Sequence, residues 1–421
     1  MSRNILIKNA QELLRVSGTT KKCGKDMGEL NLIKDGALVI MDGLITEVGT
    51  TEEILSRNKE EDFTVIDAKG KVVMPGFVDS HTHFIFGGYR GEEYNMRLEG
   101  VSYSEIMKSG GGIIATVKAT RAAKFDELYD AGLKRLDGML SYGVTTVEGK
   151  SGYGLDIDTE IKQLEVMKKL NEHHDMDIVS TYMGAHDIPP EYKNDPEVFI
   201  DLIINKGLDR AKGLAKFCDI FTEKGVFEID ESRRILKAAK EKGFKLKIHA
   251  DEIVRIGGAE LAGQMNAVSA EHLLQASDQG IREMIKAGTV CTLLPSTAFS
   301  LQADYARARF MIDEGAAVAL GSDLNPGSCY TNSIPLMIAL STIYMKMTIE
   351  EVITALTLNG AAAIDEADRV GSLDPGKLGD VIILDAPSYK HLSYNIAVNL
   401  VEKVIKKGKL VYDKKEAYPK N

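Results

Sequence analysis

Eight times between residues 76 and 323 the chain runs through one pattern: a short β-rich stretch, a polar or glycine-bearing loop, then a longer amphipathic segment of helical period. The β-rich stretches are GFVDSHTH, GVTTVEG, DIVSTYMGAH, CDIFTEK, KLKIHADE, AVSAEH, TVCTLLP and AVALGSD. Strands alternating with helices predict a parallel sheet with crossover helices, and eight such units are what a (β/α)8 barrel with insertions requires. The fold class is therefore α/β. One of the later helices, TIEEVITALTLNGAAAI, carries a capping box at its start, Thr348 reciprocated by Glu351.

Both ends of the chain read differently. ILIKNA, ALVIM, LITEV and TVIDAKGKVVMPG at the start, and DVIILD, NLVEKVIKKG and KLVYD at the finish, are short strands separated by turn residues. Asp42-Gly43 between two apolar runs is a hairpin signal, because a type I′ turn needs positive φ at both central positions. The simplest assembly is one small β-sandwich-like domain built from both termini, packed beside the barrel. That divides the chain into 1–75, 76–368 and 369–421, a division that makes one of the two units a barrel large enough for 421 residues.

Composition excludes several function classes. With 44 % hydrophobic and 27 % charged residues the chain is an ordinary globular protein, not a disordered one. The net charge of -10, with no basic block, leaves no footprint for nucleic acid. No run of about 18 uncharged apolar residues exists to cross a membrane, and Lys8, Glu12 and Arg15 interrupt any signal-type start. Cys23, Cys218, Cys291 and Cys329 lie far apart, which suits reduced, space-filling thiols in a cytosol. A cytoplasmic location is expected.

The chemistry is concentrated at strand ends, the edge where barrels keep their active sites. His81 and His83 are two apart on one strand, so the pleat turns both imidazoles to one face. By itself an HxH tripeptide is better read as chance. Here His186 ends the third strand, His249 the fifth, His272 the sixth and Asp323 the eighth. His81, His83, His249 and Asp323 form a mononuclear donor set for one divalent metal ion, zinc or iron, with a place left for water. A metal lowers the pKa of such a water to about 7. Asp323 can ligate and accept the proton, against the plainer role of capping a helix at Leu324. His272 can donate to a developing oxyanion. The pair His173-His174 reads as solvent-exposed, and His391 lies in the terminal β-region without a role. Lys224 is considered as a carbamylated bridge between two metals and set aside, because spare ligands for a second ion are lacking.

At this point the motifs carry a resemblance. VMPGFVDSHTHF, KIHADE, SAEHL, GSDLNPG and GSLDPGKLGDVIILD resemble the amidohydrolase superfamily, and FGGYRGEEYNMRLEGVSYSEIMKSGGGI, EGKSGYGLD, TYMGAHDIPPEY and DLNPGS narrow the resemblance to its imidazolonepropionase family, over essentially the whole chain. The resemblance implies hydrolysis of 4-imidazolone-5-propanoate at its ring amide to N-formimidoyl-L-glutamate, with one zinc or iron ion. It implies that Tyr153 and His186 contact substrate, that Glu252 hydrogen-bonds a ring N–H and either shuttles a proton or orients the ring, and that Asn325, Gly327 and Ser328 hold the carboxylate or product end. Arg90, which would otherwise read as a solvated loop residue, is the cation matching the propanoate, by a two-pronged hydrogen bond. A deaminase of a purine, pyrimidine or related ring would use the same metal set, but neutral bases need no carboxylate clamp. A metal-free scaffold barrel would not keep all four ligands. Pairing of two chains into a homodimer is expected from the same resemblance.

Overall fold

The computed structural model describes residues 4–101, 105 and 110–417; part of the loop motif after the first barrel strand falls outside the described residues. Eight parallel strands follow one another in chain order around a barrel: β6 (Phe77–Thr82), β7 (Val144–Lys150), β8 (Asp177–Ala185), β9 (Phe217–Thr222), β10 (Lys245–Ala250), β11 (Ser269–His272), β12 (Val290–Leu293) and β13 (Val318–Leu320). Covered outside by helices and filled inside by side chains, strands such as β6, β7 and β11 are buried throughout, which is why they read as runs rather than as alternations. The ring closes between its first and last strands. Ser80 Oγ donates to Leu320 O at 3.1 Å, the Ser322 amide to Asp79 Oδ1 at 2.9 Å and the Asp323 amide to His81 O at 2.9 Å.

The terminal strands form one mixed sheet. Its members are β1 (Ile5–Leu14), β2 (Leu32–Met41), β3 (Leu44–Thr50), β4 (Thr64–Asp67) and β5 (Val72–Pro75) from the start, with β14 (Val381–Leu384), β15 (Val401–Lys406) and β16 (Lys409–Asp413) from the end. The order is β16-β15-β14-β5-β1-β2-β3, with β4 beside β1, so the two termini meet at the β5–β14 pair. Ile5, Ile7, Leu38, Ile40, Val73, Val381, Ile383 and Ile405 share one buried cluster. The Gly379 amide donates to Gly43 O at 2.8 Å, which brings the β2–β3 turn against the β14 end of the sheet, so the sheet curls over that cluster in the manner of a sandwich. The turn itself is the one expected, with φ of 50° at Asp42 and 83° at Gly43.

The sheet's other face delivers the chain to the barrel. Val72, Met74, Ile382, Leu384 and Val404 belong to the same core as the barrel strands, and β5 runs through Gly76 into β6. Two local expectations change. The capping box at Thr348 and Glu351 is present, yet the helix stops at Ala355 and a second one begins at Leu358. The Leu356 carbonyl is taken by the Val78 amide of β6 at 2.7 Å, so the continuous i→i−4 ladder gives way to a contact with the barrel wall. His174 is not exposed as its neighbour His173 is: its Nδ1 accepts from the Met176 amide at 3.1 Å and its Nε2 lies 3.4 Å from Asp137. Cys23 is exposed, whereas Cys218, Cys291 and Cys329 fill buried space as expected.

Candidate metal centre and active site

β6 ends in His81 and Thr82, with His83 one residue beyond, and the pleat that places them two apart brings both imidazoles into the barrel mouth. His249 arrives from β10 on the opposite wall. One nitrogen from each of these three residues lies within 4.8 Å of the other two, and all three side chains are buried. Asp323 Oδ1 lies on the His81 and His83 side of this cluster, 3.6 Å from Nε2 of each. Its other oxygen accepts from Thr297 Oγ1 at 2.7 Å, which fixes the plane of the carboxylate. Asp323 sits at φ 51° just past β13, and no helix follows before Ile334, so it is not a helix cap.

The donor set fits a single divalent ion. His81 Nε2 and His249 Nε2 are buried with no hydrogen-bond partner, and a buried polar atom left bare costs roughly 1–3 kcal/mol unless something occupies it. Nitrogen and oxygen donors of this kind suit a borderline or hard first-row cation. Burial, then the Lys150 charge, holds His81 well below the usual imidazole range, so it is neutral and its lone pair is free to ligate. Burial and the neighbouring His186 do the same for His83.

Sequence reasoning missed the groups behind the ligands. Asp219, on β9, accepts from His249 Nδ1 at 3.1 Å and so directs Nε2 toward the metal donors, the usual carboxylate support for a ligating histidine. Lys150 Nζ lies 2.7 Å from Asp219 Oδ2 and 2.8 Å from Glu148 Oε1, and all three are buried. Burial works against the charged form of Asp219, but His249 and Lys150 outweigh it and hold the carboxyl well below its ordinary range. The signal was present: an Asp inside CDIFTEK and a Lys at the end of GVTTVEGK are charges in stretches otherwise destined for the core.

Around this centre stand the other strand-end residues. His186 stacks on His83 with ring centroids 5.0 Å apart and donates through Nδ1 to Gly152 O at 2.8 Å. Burial, then His249, pushes its pKa down to about 4, so its outward nitrogen is an acceptor. Tyr153 is 5.7 Å from His83 and 5.3 Å from His186, centroid to centroid. His272, at φ 68° and followed by Leu273 at φ 60°, holds a strained backbone of the sort found at functional sites. Its Nε2 is 3.4 Å from Glu252 Oε2. Burial, then Asp323, pushes the Glu252 carboxyl up to about 8, so it carries a proton at neutral pH. Asp323 itself is raised to about 6, chiefly by burial.

Arg90, Pro326, Gly327 and Ser328 line a cavity of about 460 Å³ together with Tyr89, Tyr94 and Tyr330. The Arg90 guanidinium packs on Gly327, where an added Cβ would come within 2.2 Å of Nη1. It is not a free cation. Glu93 already takes Nε at 2.9 Å and Nη2 at 2.8 Å, so one prong of the expected fork is occupied and Nη1 is the arm turned to Gly327. Asn325 is likewise engaged: its side-chain oxygen accepts from the amides of Gly327 and Ser328 at 2.9 and 2.8 Å, and its nitrogen donates to Asp323 O at 2.8 Å. Lys224 is exposed, and Glu223 beside it accepts from the amides of Ile253 and Val254, next to Glu252.

A parallel eight-stranded barrel whose strand ends gather three histidines and an aspartate defines the class of metal-dependent barrel hydrolases. The chain belongs to the Amidohydrolase family, whose model matches residues 72–411, and within it to the imidazolonepropionases. It is 56 % identical to the imidazolonepropionase of Clostridium tetani, over 98 % of this chain and 99 % of that one. It is equally 56 % identical to that of Parabacteroides distasonis, over 96 % and 98 %. Among solved structures, a zinc-bound adenosine deaminase from Xanthomonas campestris superposes with a TM-score of 0.73 at 17 % identity, covering 99 % of this chain and 94 % of that one. The guanine deaminase of E. coli gives 0.73 at 15 %, covering 98 % and 99 %. At that identity the likeness is one of fold. No helix among the described residues is long and apolar enough to cross a membrane.

Proposed function

We propose that this hydrolase opens the ring amide of 4-imidazolone-5-propanoate, giving N-formimidoyl-L-glutamate in histidine breakdown. The observation that carries the reading is the guanidinium of Arg90, packed on Gly327 in the loop that follows Asp323 and acting electrostatically on Tyr153 as Asp323 and Glu252 do, a cation suited to a small ring bearing a carboxylate. A deaminase of neutral bases has no use for it. His81, His83, His249 and Asp323 would hold one zinc or iron ion. When bound, such an ion lowers the pKa of water toward 7 and polarises a carbonyl.

The chain's own groups then divide the work. Arg90 Nη1, set against Gly327 in the turn whose amides Asn325 already holds, receives the propanoate. Tyr153 and the acceptor nitrogen of His186 orient the ring. Asp323 accepts the proton of the attacking water. His272, neutral because burial and then His249 hold its pKa well below the usual range, offers an N–H to the carbonyl oxygen as negative charge grows there. Water oxygen bonds to the carbonyl carbon, the C–N bond breaks, and the departing ring nitrogen needs a proton. Glu252 holds one, and its carboxyl can deliver it. The reaction is proposed for the cytosol, with two chains paired as a homodimer, which sedimentation of the purified protein checks.

The deciding experiment follows the decay of imidazolone propanoate absorbance while metal content is measured on the same sample. Turnover proportional to bound metal is expected. Turnover of a purine or pyrimidine panel with none of the propanoate substrate would replace this reading by the deaminase one.

A further inference from the structure

The loop that follows β7, residues 151–155, carries Tyr153 and supplies the Gly152 carbonyl that orients His186. Its conformation is costly in isolation. Gly152 has φ 106° and Leu155, which bears a side chain, has φ 49°, a left-handed backbone that is strained for a non-glycine residue. Something must hold it. Glu160, the fourth residue of the helix Ile157–His173, turns its carboxylate away from solvent and up into this loop. It accepts from the amides of Gly152 at 2.7 Å, Gly154 at 2.7 Å and Leu155 at 2.9 Å, and from the Ser151 hydroxyl. On the other side Arg121 donates to the carbonyls of Gly154 and Leu155 at 2.7 and 3.0 Å, so donors and acceptors of the same few peptides are gripped from opposite directions.

A carboxylate is an odd residue to bury for this purpose. Glu160 is 1 % exposed, and among the described residues no Lys or Arg donates a hydrogen bond to it. A solvated Glu in the first turn would serve the helix end equally well without the desolvation cost. What only a buried carboxylate supplies is a cluster of acceptor lone pairs for several converging N–H groups at once. Burial pushes its pKa up to about 7 against those donors.

We propose that Glu160 is a positioning residue for substrate recognition: by gathering the amides of Gly152, Gly154 and Leu155 it sets the loop that presents Tyr153 and His186 to the ring. The inference rests on the substrate reading above for its kinetic consequence, though not for its structural one.

The test compares full-length wild type with Glu160→Gln, which keeps the size but offers one acceptor oxygen and turns an NH2 toward N–H groups, and with Glu160→Asp, which keeps the charge on a shorter arm. Three quantities are read on each: bound metal, steady-state kinetics with imidazolone propanoate, and deuterium uptake of segment 151–155. Expected for Glu160→Gln are wild-type metal content, a KM raised about tenfold or more with a smaller fall in kcat, and faster exchange confined to that segment. Glu160→Asp should fall between. Wild-type KM with a protected loop in Glu160→Gln overturns the proposal, and so does an unchanged KM in Glu160→Asp should the Gln variant not fold. If wild type itself leaves the substrate untouched, the substrate reading fails while the exchange measurement still decides whether Glu160 holds the loop.

Discussion

The proposed metal-facing half of the site and the proposed substrate-facing half are made by different means. His81, His83, His249 and Asp323 sit on or just past barrel strands, the first two and Asp323 held where the barrel closes and His249 by the pairing of β10 with β9 and β11. Arg90, Tyr153, Glu252 and Ser328 stand on loops, and each loop is shaped by a carboxylate or amide side chain of its own: Glu93, Glu160, Asp251 with Glu223, and Asn325. Asp251 alone accepts from the amides of Ile256, Gly257, Gly258 and Ala259. The scaffold therefore sets the candidate ligands directly, whereas the proposed substrate contacts depend on a further layer of buried acceptors. Damage to the first half should destroy the reaction; damage to the second should change its terms.

The sharpest break is Asp323→Ala. It removes the proposed metal donor and proton acceptor together, so turnover at saturating substrate should fall on the order of 10⁴-fold. A loss smaller than tenfold would show that the strand-borne half does not run the chemistry. Glu252→Gln comes next. If the carboxyl delivers the proton, kcat drops at least about a hundredfold, while near-normal kcat makes Glu252 an orienting group only. The pH profile separates the same alternatives. A carboxyl raised to about 8 by burial and Asp323 is protonated below that pH, so wild-type kcat/KM should decline as pH rises through about 8. Glu252→Gln should lack that limb.

Arg90→Ala probes the other half. Losing a charge-assisted contact to the propanoate should raise KM by about ten- to a hundredfold with kcat much less affected, and wild-type KM would refute the clamp. Since Glu93 holds Nε and Nη2, Lys at position 90 cannot reproduce the geometry and should resemble Ala more than Arg. Asp219→Asn returns to the strand side but behind the ligands. It should weaken metal retention against a chelator by about ten- to a hundredfold, and unaltered retention would mean that His249 needs no support.

The same division explains what the sequence disclosed. Strand-end histidines were legible because position on a βα unit fixes direction, and a two-residue spacing fixes the face. The hairpin at Asp42-Gly43 was legible because its φ angles admit few residues. The supports were not. Glu160, Glu93 and Thr297 act through backbone amides or across loops, with partners such as Asp323 for Thr297 lying 26 residues away, and no periodicity announces such pairs. Asp219 and Lys150 were visible as charges in apolar stretches, but only the closed barrel shows that they face each other and His249. His174 was misjudged for the converse reason: a polar neighbourhood in sequence, NEHHDMD, becomes a partly covered turn once β8 starts.

The smallest expected effect lies outside both halves and tests whether the two are as separable as the geometry makes them. Thr348 accepts from the Glu351 amide at 3.2 Å, and the Glu351 side chain accepts from the Thr348 amide at 2.8 Å. Glu351 also takes both Nη atoms of Arg309 at 3.0 Å. Thr348→Ala removes one member of the box and leaves one orphan amide at a helix start, a loss of about 1 kcal/mol in stability. The helix it caps ends where Leu356 hands its carbonyl to β6, three residues before the strand reaches His81, so a softened helix could in principle reach the ligands. The barrel closure at Ser80, Asp79 and His81 is made instead by hydrogen bonds to β13 and the residues after it, in which neither Thr348 nor Glu351 takes part. A lower denaturant midpoint with unchanged KM, kcat and metal content is therefore expected, and a change in metal content would show that the closure is not the rigid frame proposed for the ligands.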